Sequence, residues 1–151
     1  MMNKISLMKK LICMSLILLY GSCAAQKEVL LDNQNLKFGL SKTRCLGKCP
    51  VYHFKVYENG DMVYHGIENV DKEGTHMLKL SSAEMEELEQ AFTKIGFKSL
   101  ELPRKGVIRD MPFTILTFEG KKLRYQPGGS TKELKNLVLR IEEMIVGKIG
   151  V

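Results

Sequence analysis

The chain has 151 residues, four cysteines and a formal net charge of +6 at neutral pH. That length supplies one domain with a single core, which needs no dense set of disulfide staples. Aromatic residues make up 7% of the chain and few stand among the charges, which argues against a nucleic-acid surface.

The first residues read as an export leader. Lys4, Lys9 and Lys10 make a basic start, residues 11–20 an apolar run, and Gly21-Ser22-Cys23-Ala24-Ala25 a small-residue exit. The run is about half of the roughly 20 residues a membrane-spanning helix needs, so a retained anchor helix is not expected. Leu19-Tyr20-Gly21-Ser22-Cys23 resembles the bacterial lipoprotein box, with Tyr20 standing where that box usually carries leucine. Residues 1–22 are therefore expected to be a lipoprotein-type signal peptide. Cys23 is the expected lipidation site, carrying palmitate-type acyl chains and anchoring the protein in the cell envelope, facing the periplasm or the cell surface. The competing cut falls after Ala25 and leaves a soluble periplasmic or secreted protein. Cys13 lies inside the apolar run and is lost in either case.

Removing residues 1–22 leaves 129 residues and a charge of +3, because the leader holds three lysines and no acids. The remainder is uneven. Residues 23–97 carry 9 basic and 11 acidic side chains, whereas residues 98–151 carry 11 and 6. The basic half suits an anionic ligand or lipid headgroups, although solvated lysines on strand edges and helix faces account for the same count.

Residues 23–35 read as a spacer, in which residues 29–31 could add a short strand. From Leu36 the alternation of Leu36, Phe38 and Leu40 with Lys37, Gly39 and Ser41 marks a strand ending near Thr43. Residues 51–58 and 61–66 flank Asn59-Gly60, a hairpin signal. A two-residue type I′ loop there would set Tyr57 against Met62, Val56 against Val63 and Phe54 against His65. Phe54, Val56 and Val63 would then share one face, and Tyr57, Met62 and Tyr64 the other. A further strand is expected at residues 74–80, paired with the preceding one through a turn at residues 71–74.

Ser81-x-x-Glu84 matches a capping box and opens a helix with Met85, Leu88, Ala91, Phe92 and Ile95 on one face, stopping at Gly96. Residues 98–112 hold two prolines and no steady period, and a connection this long in a small domain is usually functional or mobile. Residues 113–118 and 121–126 make a second hairpin across Glu119-Gly120. Ser130-x-x-Glu133 is a second capping box, and the last helix places Leu134, Leu137, Val138, Ile141 and Ile145 on one stripe, ending near Gly147. The expected class is α+β: an antiparallel sheet of about five to six strands with two amphipathic helices on one face, within residues 36–147.

Cys45-Leu46-Gly47-Lys48-Cys49-Pro50-Val51-Tyr52, followed by Tyr57-x-x-Gly60 and Tyr64-x-Gly66, resembles the signature of a bacterial family of exported domains, domain of unknown function 6438. Asp110-Met111-Pro112 and the Gly120-Lys121 turn are similar to its second half. The resemblance spans roughly residues 36–146 and implies an exported or lipid-anchored small domain. It transfers no catalytic residues.

Three readings of Cys45 and Cys49 compete. An oxidising compartment and two cysteines in the domain favour a structural bridge, with Gly47 supplying an unusual φ in the closed loop and Pro50 stiffening its exit. Cys-x-x-x-Cys-Pro is also similar to the copper-site motif of the Sco family of copper chaperones, which suggests thiol-redox or Cu(I) chemistry at Cys45 and Cys49 with His53 as a third ligand. His65 and His76 are also available, although all three histidines read equally as ordinary strand residues. Against this, the Sco motif opens a helix, whereas Pro50 here leads into a strand. Hydrolytic motifs are absent: there is no Gly-x-Ser-x-Gly elbow, His-Glu-x-x-His pair or phosphate-binding glycine loop. Asp110 is expected to pair with Arg44 or Arg109 or to cap a turn. The leading class is therefore a non-enzymatic binding module using residues 98–112 and the basic half. It requires no cofactor; its partners would be the membrane, through the anchor, and an envelope protein or anionic ligand.

Overall fold

A computed structural model describes residues 35–103 and 105–150 of the chain. The leader, Cys23 and the short strand considered at residues 29–31 lie outside the described residues. Elements follow in the order β1 (Leu36–Lys42), β2 (Val51–Tyr57), β3 (Asp61–Glu68), β4 (Gly74–Lys79), α1 (Ser82–Lys94), β5 (Thr114–Phe118), β6 (Lys121–Tyr125) and α2 (Lys132–Ile149). Every neighbouring pair of strands is antiparallel, and the spatial order is β4-β3-β2-β1-β5-β6. This is the α+β architecture expected from the periodicities.

The alternation of strand residues decides which face meets the helices. Phe38 and Leu40 of β1 stand opposite Val56 and Phe54 of β2, and opposite Phe118 and Leu116 of β5. Met62 and Tyr64 of β3 continue the same face opposite Val56 and Phe54. These side chains are buried in one cluster with Leu88 and Phe92 of α1 and with Leu134, Leu137, Val138, Ile141 and Ile145 of α2. Phe38, Phe92, Phe97 and Phe118 pack ring against ring at centroid distances of 4.8 to 6.2 Å. Burying each such side chain contributes about 1.5–3 kcal/mol, so this quartet is a main support of the sheet–helix contact.

The first hairpin departs from the expected register. Val56 pairs with Met62 and Phe54 with Tyr64, not with Val63 and His65. The Gly60 N–H donates to the Tyr57 carbonyl at 2.9 Å, and Gly60 alone takes a positive φ, +82°. The connection is thus a three-residue loop, a type I turn followed by a left-handed glycine bulge, in place of the two-residue type I′ turn. The single extra residue brings Phe54, Val56, Met62 and Tyr64 onto one face, which is what closes the core. The second hairpin does use a two-residue loop: Phe118 pairs with Lys121, and Glu119 (φ 43°) and Gly120 (φ 82°) are both left-handed, as type I′ requires.

α1 begins at the expected capping box. The Glu84 N–H donates to Ser81 Oγ at 3.3 Å, and the Ser81 N–H donates to Glu84 Oε2 at 2.7 Å. It ends in a Schellman motif, with Phe97 N–H to the Phe92 carbonyl, Gly96 N–H to Thr93, and Gly96 left-handed. At α2 the cap is Thr131, whose hydroxyl accepts from Leu134 N–H at 3.2 Å, one residue later than the Ser130 box anticipated. Threonine and serine cap by the same chemistry, so two adjacent hydroxyl residues leave the start ambiguous by one. α2 also continues past Gly147 to Ile149 and is closed by left-handed Gly150. Partly buried Ile149 packs against the core, and this contact outweighs the helix-weakening effect of Gly147.

Antiparallel pairing gathers several connections at one end of the sheet. The loop from β1 to β2, the turn from β3 to β4, the entry to β5 and the exit from β6 all lie there. Residues 43–50, 69–73, the last part of the 95–113 connection and residues 126–131 are therefore neighbours by topology alone.

Candidate functional site

Cys45 and Cys49 are joined by a disulfide, with a Cα–Cα separation of 5.9 Å. The clamp closes without a left-handed residue: Gly47 does not adopt positive φ, contrary to the role expected of it. Two neighbours brace it. The Asn69 side-chain amide donates to the Cys49 carbonyl at 3.1 Å from the β3–β4 turn. On the other side the Leu46 N–H donates to the Asp110 carbonyl at 3.2 Å.

The end of the long connection is held by hydrogen bonds to β1 and to the exit of β6. Thr43 N–H donates to the Phe113 carbonyl at 3.0 Å, and Phe113 N–H returns a bond to Thr43 Oγ1 at 2.8 Å. Gln126, at the exit of β6, makes three bonds to this segment. Its amide nitrogen donates to the carbonyls of Ile108 (2.8 Å) and Met111 (3.0 Å), and its oxygen accepts from Ile108 N–H (2.8 Å). Lys105 Nζ donates to the Gly128 carbonyl at 2.6 Å, and the Arg124 guanidinium lies 3.4 Å from the centre of the Phe113 ring. Asp110 itself is left-handed, with φ 65°. Its part is played by the backbone: Arg44, offered as its ion-pair partner, pairs with Glu68 at 2.8 Å instead.

Clamp and connection thus form one surface, and its composition is unusual. Leu46 is 83% exposed, Val107 70%, Ile108 56% and Met111 38%. They are four of the six large apolar side chains most exposed among the described residues. Exposed Arg44, Lys48, Lys105 and Arg109 stand in the same two stretches, with Asp110 the acid among them. Hydrogen bonds to the backbone hold these apolar groups in place, and among the described residues none covers them.

Behind the clamp, Tyr52 turns inward from the start of β2. Its hydroxyl donates to Glu142 Oε1 of α2 at 2.6 Å, and Lys42 Nζ of β1 reaches the same oxygen at 2.5 Å. Burial, then the charge of Glu142, pushes the Tyr52 phenol well above its ordinary value of 10, so it stays protonated and acts as a donor. A small cavity of about 180 Å³ opens beside it, lined by Pro50, Tyr64, Asn69, Glu142 and Ile145. The network pins α2 to the central strands next to the clamp.

The third residue of the copper reading is not brought to the cysteines. His53 sits on the sheet face away from the helices, with Nδ1 2.9 Å from Ser41 Oγ and His65 opposite it on β3. His65 is engaged with Thr75 Oγ1 at 2.7 Å, and His76 with the Glu73 carbonyl at 3.0 Å. Among the described residues no group of three His, Cys, Asp or Glu side chains is placed to hold a metal ion. Sequence reasoning missed Gln126, Asn69 and the Tyr52–Glu142 pair. Side-chain bonds that span the chain leave no local periodicity, and of these residues only Tyr52 stands in a sequence motif, that of the cysteines.

A six-stranded antiparallel sheet with two helices on one face and a clamped loop at one end defines a small α+β domain. The chain belongs to the family described as a domain of unknown function (DUF6438), whose model matches residues 36–145. A search of curated proteins and a search of solved structures each find no match.

Proposed function

We propose that the protein is a non-enzymatic interaction module of the bacterial cell envelope, exported by residues 1–22 and held at a membrane by lipid on Cys23. The observation that carries the reading is the surface made by the clamped loop and residues 105–111. It presents Leu46, Val107 and Ile108 to solvent on backbone fixed by the disulfide, Asn69 and Gln126. Apolar side chains held out on a braced scaffold mark a contact surface. The Cys45–Cys49 bond is structural in this reading, and the leader sequence supports the export and the anchor.

Metabolic labelling with a palmitate analogue in a bacterial host tests the anchor. Label on the wild type that is lost in Cys23→Ala is the expected result; an unlabelled wild type, released to the periplasm or medium, contradicts it. Intact mass with and without reductant tests the clamp, which predicts a gain of two hydrogens per chain on reduction. Two free thiols in freshly isolated protein, together with Cu(I) uptake lost in Cys45→Ser, would favour the thiol-redox or copper reading instead.

A further inference from the structure

We infer that the surface formed by residues 44–48 and 105–111 docks directly on an anionic lipid bilayer, with Leu46, Val107, Ile108 and Met111 entering the interface and the flanking cations meeting the headgroups. The inference rests on the membrane attachment proposed above and adds the face that the domain turns toward the membrane.

Three observations select a bilayer as the occupant. The first is the pairing of apolar with basic groups. Along the chain Leu46 is followed closely by Lys48, and Val107 and Ile108 by Arg109, so each exposed aliphatic stretch has a flanking cation; Arg44, paired with Glu68, and Lys105, bonded to the Gly128 carbonyl, stand on the other side. Interfacial binding combines the same two contributions, burial of apolar side chains and attraction to anionic headgroups. Long Lys and Arg side chains can keep their charges at headgroup level while their stems follow the apolar groups inward.

The second is the kind of apolar residue. The exposed members are Leu, Val, Ile and Met, aliphatic side chains of the kind that can be buried at the boundary of headgroups and acyl chains. The third is reach. Twelve residue-to-residue steps lead from Cys23 to Asn35 and span at most about 40 Å when fully extended. β1 runs only about 20 Å from Leu36 to the end that bears the clamp. A lipid on Cys23 and the docking end of the sheet can therefore meet the same membrane.

Residues 35–150 gather a hydrophobic core of their own, so the test uses the unlipidated chain from Ala24 onward, with the sheet verified by circular dichroism. Tryptophan is absent from the sequence, which makes a single introduced one an unambiguous reporter. Ile108→Trp should give a blue-shifted, brighter emission on vesicles of phosphatidylcholine with phosphatidylglycerol. Leu139→Trp, on the exposed side of α2, should not respond. Co-sedimentation with the same vesicles should weaken at least tenfold in Leu46→Ser/Ile108→Ser and in Lys48→Glu/Arg109→Glu. It should also fall on vesicles of phosphatidylcholine alone. No binding, equal response from the two tryptophan positions, or binding indifferent to the apolar pair would each overturn the inference. So would retention of the folded chain by a protein receptor through this face while vesicles are ignored. Vesicle binding that stands while palmitate labelling fails would uphold the docking face and remove the lipid anchor; the reverse would remove the docking face alone.

Discussion

The Leu46 N–H reaches the Asp110 carbonyl across 3.2 Å, joining the disulfide-clamped loop to a segment more than sixty residues further along the chain. Asp110 delivers that carbonyl from the left-handed region, at φ 65°. Aspartate tolerates this conformation better than most residues, glycine best of all. Asp110→Val should therefore destabilise the domain by about 1–2 kcal/mol, whereas Asp110→Gly should hold near wild type. Urea midpoints of the two variants check this, and equal losses would show that the side chain matters more than the backbone.

Gly66 explains itself by crowding. A Cβ built there would stand 2.0 Å from the Lys72 carbonyl oxygen and 2.9 Å from Val70 Cγ2, so the β3–β4 turn folds directly over this residue. Gly66→Ala should cost about 2 kcal/mol or more, since backbone must move to admit one methyl group. Gly120→Ala, where no atom lies within 4 Å but φ is 82°, should lose only the smaller penalty of the left-handed conformation. Thermal midpoints compare the two.

Tyr52 carries a pH signature. Its phenol is raised first by burial and then by Glu142, so the folded state keeps a proton that the unfolded chain releases near pH 10. The associated stability is present in full below pH 10 and is lost as pH climbs above it, toward the higher folded value. Tyr52→Phe should flatten part of that alkaline decline. At neutral pH it should cost about 1.5–3 kcal/mol, the worth of a hydrogen bond to a charged group. Tyr64 and Tyr125 are raised too, so wild type and variant must be compared across the same alkaline range.

His53 behaves in the opposite sense. Burial, then the neighbouring His65 and Lys55, holds its imidazole below the ordinary 6.5, so the fold disfavours the protonated ring. Its contribution is full above pH 6.5 and declines as pH falls through the folded-state value. An NMR titration should place the His53 midpoint below 6.5, and His65→Gln should move it upward. A midpoint at or above 6.5 would contradict this.

Much of the architecture is legible in the residue pattern because it follows from local rules. The α2 stripe Leu134, Leu137, Val138, Ile141 and Ile145 is the buried set, and Ser81 with Glu84 caps α1 as their spacing implies. The misreadings arise where two local solutions are nearly equal in energy. Asn59-Gly60 suits a two-residue turn as well as a three-residue one, and only the requirement that Met62 join Val56 in the core selects the latter. Ser130 and Thr131 compete for one cap in the same way. The site is half legible: the cysteine motif and the aperiodic residues 98–112 stand out separately, but Gln126 and Asn69, which brace them, act through bonds with no sequence period.

The central claim is that the Cys45–Cys49 bond serves to hold residues 44–48 against residues 105–111. Closing a five-residue loop is worth about 2 kcal/mol in chain entropy, which corresponds to about a 30-fold change in local opening if the loop alone feels it. Hydrogen exchange at the Leu46 amide reads this directly. It should be slow in the oxidised protein and some tenfold or more faster in Cys45→Ser/Cys49→Ser, while amides in the middle of β1 keep their protection. An unchanged Leu46 rate without the disulfide, or fast exchange with it intact, would contradict the account.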